Sequence, residues 1–260
     1  MATESTERHR EKLKMEIDKT ISKWFRETAD KMNAVSKPNE PAYDLCSNVL
    51  PLSHNYCDAV MLLLNDGKKL PAMALIRVMA ELTLRFIWCL YPNKQGEDVN
   101  TRIRRWLKES YIKAKQNLEK ILPSADRGKR EEIEAAIKRL NDDIAQIPYH
   151  SAGPLYNSLE DLAASNCGDW DWENDIYPLL YTFFNQAIHP DLLVLSKLVK
   201  QNGDKRVYLA DYDAMDIPEL KICCMNCAFN IVAATRVVYE WDYQGIKKEY
   251  LDIKKYFKRE

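Results

Sequence analysis

Apolar and polar positions along the chain alternate with helical rather than strand spacing almost throughout. Residues 5–35 carry Leu13, Ile17, Thr20, Ile21, Trp24 and Phe25 on one stripe of an otherwise charged helix, which ends before Lys37-Pro38-Asn39-Glu40-Pro41. A second helical region runs from Tyr43 to Asn65, with Pro51 expected to break or restart it and Asp66-Gly67 turning the chain onward. Residues 70–92 are apolar on nearly every side, and Pro71 sits in the first turn where a missing N–H does least harm.

That third helix carries Arg77, Glu81 and Arg85 at successive four-residue steps. Four residues advance only about 40° around a helix axis, so the three charges share one narrow face while Met73, Ile76, Met79, Leu82, Phe86 and Ile87 fill the rest. Burying an unpaired charge is costly, so the stripe is expected to meet other polar groups inside the protein, at a cleft or at a subunit contact. Those groups mark the expected site.

From Glu97 to Ile147 the pattern becomes two charged amphipathic arms joined at Pro123-Ser124-Ala125-Asp126, a helical hairpin. Ile103, Trp106, Leu107, Tyr111, Ala114 and Leu118 of the first arm should face Ile133, Ala136, Ile137, Leu140 and Ile144 of the second. Opposite charges alternate along both arms, which favours an arm that covers the core or makes a dimer contact over one that binds RNA. Residues 148–173 read as a connector with one short helix at 155–165, and its length invites a role in lining a site. Residues 176–199 are again strongly apolar, with Pro190 implying a kink or two helices meeting at Ala187-Ile188-His189, and are expected to pack on the charge-stripe helix.

The segment Gly203 to Leu209 is the only place for a strand pair and reads as a loop. Pro218–Tyr239 reads as another buried helix, and Gln244–Lys258 as a terminal amphipathic helix with Ile246, Tyr250, Ile253 and Phe257 on one face. The expected fold is all-α: a multi-helix bundle, residues 1–260 as a single helical domain, with 97–147 as an inserted or protruding charged hairpin.

Composition supports this. Only 7 Gly and 11 Pro in 260 residues leave few turns for a many-stranded fold, and a 46% hydrophobic content can build a large core. The balance of 38 basic against 39 acidic residues gives a net charge of −1, so nothing global attracts nucleic acid or anionic lipid. The polar N-terminus lacks the apolar stretch of a secretory signal, and three central charges at about 3 kcal/mol each oppose membrane insertion of residues 70–92. A cytoplasmic protein without a membrane span is expected. Seven cysteines, mostly in apolar surroundings, read as reduced packing residues.

Among candidate chemical groups, His189 is the most pointed. It lies at the kink of an apolar helix, four residues after Asn185 and two before Asp191, and an imidazole near neutrality can act as base, acid or donor. The alternative is a buried histidine hydrogen-bonded to Glu81 or to a backbone carbonyl. The CxxC of Cys224 and Cys227, preceded by Cys223, has neither a second CxxC nor a nearby histidine, so no metal site is expected. No nucleotide-binding or hydrolase motif occurs, and no cofactor is implied.

The arrangement of LIRVMAELTLRFIW followed by YTFFNQAIHPDLL resembles an uncharacterised family of bacterial helical proteins with an R-x-x-x-E helix and a later Y-x-x-x-x-x-x-x-H-P element. More distantly it is similar to the HEPN superfamily (higher eukaryote and prokaryote nucleotide-binding domains). The resemblance spans roughly 43–91 and 174–240. It implies a helical bundle, frequent dimerisation and, in many members, metal-independent RNA cleavage linked to toxins or phage defence. The HEPN catalytic motif is an arginine four to six residues before the histidine. Residues 183–188 contain no arginine, so Arg77 would have to substitute for it in space.

Two expectations follow. In one, His189 takes a proton from an RNA 2′-hydroxyl, Arg77 or Arg85 stabilises the phosphorane and Glu81 orients an arginine. In the other, favoured here, His189, Arg77, Glu81 and Arg85, with Asn185 and Asp191, belong to a satisfied network or small-ligand pocket. The hairpin then mediates assembly with a second copy or a partner protein, and RNA remains the alternative partner.

Overall fold

The computed structural model describes residues 2–35, 40–91, 97–147, 199–202, 205–208 and 215–257. Among these the protein is all-α apart from one two-stranded pair. Helices α1 (Ala2–Ala34), α2 (Pro41–Asn65), α3 (Lys69–Leu90), α4 (Val99–Ile121), α5 (Arg127–Gln146), α6 (Ile217–Val238) and α7 (Gln244–Phe257) follow in chain order.

Helix ends sit where local chemistry places them. Pro41 opens α2, and Gly67 turns the chain into α3 with φ of 75°, a left-handed conformation that suits glycine. The Asp98 carboxylate accepts the Thr101 N–H at 3.0 Å to cap α4, and Asp126 accepts that of Lys129 at 3.0 Å to cap α5. At the start of α6 the Glu219 side chain accepts the Asp216 N–H at 3.1 Å, half of a capping box.

Helix α6 is the centre of the bundle, packed by α1, α2, α3 and α7. Between Leu220 and Arg236 every residue except Ile222 and Asn226 is buried. It is also the one described helix long and apolar enough to cross a membrane, and 72% of the relevant window is buried inside the bundle. Trp24, Trp88, Phe25 and Phe86 are the largest fully buried apolar side chains among the described residues, and Phe229 of α6 stacks on Tyr250 of α7 at 4.3 Å.

Pro51 does not break α2, which runs through it as one helix. Proline removes one N–H and crowds the preceding turn, but Pro51 is on the exposed face of α2, away from the core packing. Residues 199–208 also depart from the expected loop: Val199–Asn202 pairs antiparallel with Lys205–Tyr208, Asn202 opposite Lys205. Two four-residue strands leave little alternating pattern to read.

The hairpin forms as the pattern predicts. On α5 the residues not fully exposed are Ile133, Ala136, Ile137, Leu140 and Ile144, the set expected to face α4. On α4, Ala114 and Leu107 are more exposed than expected, and burial is confined to Arg102 and Ile103 at the base. Helix α4 also packs against α2 and α3 there.

Candidate functional site

The charge stripe of α3 is a linked chain of ion pairs rather than a buried triad. Arg77 Nη1 lies 3.7 Å from Glu81 Oε2, and Glu81 Oε1 lies 3.4 Å from Arg85 Nη2. Arg85 Nη1 then reaches across to Glu109 Oε2 of α4 at 3.4 Å, and Glu109 Oε1 accepts from Lys113 Nζ at 2.7 Å. Side-chain exposures of 14% for Arg77, 34% for Glu81, 18% for Arg85 and 13% for Glu109 place the group at the rim of the core. Of the expected settings, inside the protein, at a cleft or at a subunit contact, this partial exposure excludes only complete burial. Alternating sign along the chain lets each arginine lie against a carboxylate, which partial burial requires.

Glu109 was not legible as a site residue, and neither was Arg102, the most deeply buried of the described arginines at 1% exposure. Arg102 donates from Nε to the Cys89 carbonyl at 3.2 Å and from Nη2 to that of Tyr91 at 2.8 Å, and Nη1 bonds the Glu97 carbonyl. One planar guanidinium thereby satisfies carbonyls at the end of α3 and the start of the hairpin, where a helix terminus also favours positive charge. Arg105 of the same face pairs with Glu97 and lies 5.7 Å over the Trp88 ring. The spacing of Arg102, Arg105 and Glu109 puts them on one side of α4, the only available signal that these charges turn inward.

A second polar cluster joins α1, α2 and α6. Lys221, at 1% exposure, donates to both Asp18 oxygens and to Asn65 Oδ1, each at 2.8 Å. Arg236 donates to Thr28 Oγ1 at 3.0 Å and to the Asp242 carbonyl at 3.3 Å. Both are fastenings between helices.

His189, Asn185 and Asp191 lie outside the described residues, as does the helix expected to cover the stripe. The structure therefore brings together Arg77, Glu81 and Arg85 among the expected site residues and adds Glu109. Six described cysteines are free and buried. Burial pushes the Cys46 and Cys223 thiols up to about 12, which leaves them protonated and unreactive at neutral pH. Among the described residues no three potential ligands gather as a metal would need.

An open groove of about 780 Å³ lies where the N-terminal turns of α2 meet the base of the hairpin. Leu45, Ile103, Trp106, Leu107, Tyr111 and Ile147 give it an apolar floor, with Asp44, Asp143 and Arg104 also lining it. The groove and the charge stripe use different faces of α4: Ile103, Leu107 and Ser110 line the groove, whereas Arg102, Arg105 and Glu109 meet α3 and the α3–α4 connection.

No curated protein and no solved structure matches the chain. A family model described as "Family of unknown function (DUF5677)" matches residues 43–206, from the first turn of α2 through the hairpin and into the second strand. This fits an uncharacterised family, takes in the hairpin that the resemblance left out and stops at 206 rather than 240; it supports neither the HEPN likeness nor the motifs. Since the match takes in well over half of the sequence, the chain belongs to the DUF5677 family.

Proposed function

We propose that this chain is a helical assembly module, a single domain in which the inserted hairpin at 97–147 is the arm that meets a second copy. The observation that carries this reading is the incomplete closure of the hairpin. No residue of α5 is buried, Leu107 is 42% exposed, and the groove at the hairpin base stays open beside Trp106 and Tyr111. Two helices alone cannot bury both sides of their seam, whereas a second pair closes it.

The charge stripe supports assembly over RNA cleavage. Phosphate binding needs a cation that can leave its present partner, and Arg77 and Arg85 are neutralised by Glu81 and Glu109. Ionic contacts and the Arg102 clamp instead hold the arm at a fixed angle to the core, which a contact surface needs.

Sedimentation of the full chain over a range of concentrations tests the reading. Reversible self-association is expected, and Leu107→Glu, placed on an exposed position, should weaken it while leaving the helical circular-dichroism spectrum intact. A chain that stays monomeric at high concentration contradicts it.

A further inference from the structure

The exposed face of α5 has a charge order that commits it to one kind of partner. Residues 127–130 are basic apart from Gly128, 131–134 acidic apart from Ile133, 138–139 basic and 142–143 acidic. All of the charged side chains in these blocks are exposed, and among the described residues Lys138, Asp142 and Asp143 make no ion pair. Within α5, Arg127 and Glu131 stand 4.0 Å apart with 96% and 74% exposure, a contact that water and salt screen heavily.

Reversing the order plus, minus, plus, minus gives minus, plus, minus, plus. Two copies of this helix laid antiparallel therefore set every block against one of opposite sign, whereas parallel copies set like on like. The reversal centres on Ala135, an exposed small side chain that lets the two backbones cross closely. In that register Arg127 lies level with Asp143 of the second copy, Glu131 with Arg139 and Glu132 with Lys138. The arrangement is self-complementary about a two-fold axis, as a symmetric dimer contact must be.

We infer that the partner of this surface is a second copy of the chain, with the α5 helices paired antiparallel about Ala135. The inference rests on the assembly reading above and specifies its geometry. At 20 residues α5 is about 30 Å long, so the pairing carries the hairpin tip of one copy to the hairpin base of the other. There the 51% exposed Ile121 of the tip comes to the end of the arm where the partner's apolar groove opens. Exposed ion pairs are individually weak, so the charges set register and orientation while apolar contact at the two ends supplies much of the affinity.

Charge reversal in the full chain tests this without disturbing the fold, because acids suit the first turn of a helix and bases the last. The double variants Arg127→Glu with Arg130→Glu, and Asp142→Lys with Asp143→Lys, should each dissociate about tenfold or more readily than the wild type in sedimentation equilibrium, a loss of about 1.4 kcal/mol. Mixing the two variants should restore a dimer, since each end then again joins opposite charges. Self-association that is indifferent to both reversals overturns the α5 pairing and leaves the assembly reading standing. A monomeric wild type overturns both.

Discussion

Glu109 of α4 lies 3.4 Å from Arg85 of α3, and this contact ties the charged hairpin to the apolar core. The same carboxylate holds Lys113 one turn further along the arm, while Arg85 also holds Glu81. Helix α3 is therefore both a core element, through Ile76, Met79 and Phe86, and the seat of the arm.

Removing either carboxylate should have unequal effects. Glu109→Ala takes from Arg85 its one carboxylate on α4 and should destabilise the protein by about 1–3 kcal/mol, as loss of a charge-assisted bond at a partly buried site does. Glu81→Ala should lose about 1 kcal/mol, less than a fully buried pair would, because water reaches a third of Glu81. Urea denaturation of the two variants measures the difference; equal effects would mean that the stripe, not its link to the hairpin, holds the energy.

Arg102 should be the most sensitive hairpin residue. Arg102→Ala strands acceptors at Cys89, Tyr91 and Glu97 and should reduce stability by about 3 kcal/mol or more. Arg102→Lys should rescue little, because an ammonium is not a planar fork that reaches three carbonyls. Full recovery of the melting temperature in the lysine variant would refute the clamp.

The contact between α1 and α7 should make stability pH-dependent at both extremes. Burial pushes the Glu249 carboxyl up, but bonds from Lys23 Nζ and Trp24 Nε1, each 2.7 Å, outweigh it and hold the group below its ordinary 4.5. The hydrogen bond to Glu249 in turn raises Lys23 above its ordinary 10.5. A lowered carboxyl stabilises the fold fully above its unfolded value and loses that contribution as pH falls through the folded value. A raised ammonium does so below its unfolded value and loses it as pH climbs past the folded one. The pair therefore stabilises most between about 4.5 and 10.5, and Glu249→Gln should flatten its share of the decline at both ends of a melting-temperature profile. An unchanged profile would remove the pair from the account.

Much of the fold was legible because burial follows period. The stripe of Ile17, Ile21, Trp24 and Phe25 is the buried face of α1, and the five apolar positions of α5 are its covered ones. Helix α6 was legible for the opposite reason, being apolar all round. What pattern could not reveal was pairing at a distance. Arg102 and Glu109 look like ordinary solvated charges on an amphipathic helix, and only the packing of α4 across the end of α3 turns them inward. Lys221 and Asp18, 203 residues apart, are a more extreme case. Pro51 misled because a proline on an exposed face need not end a helix.

In the reading proposed above, the Arg77, Glu81 and Arg85 stripe is structural rather than catalytic, and an RNA cleavage assay checks this. Purified full-length wild type and His189→Ala, each verified as folded, are incubated with total and transfer RNA in EDTA. The account predicts no cutting by either protein beyond that in buffer. Metal-independent cutting by the wild type that disappears in His189→Ala would contradict it and make the stripe part of a ribonuclease site.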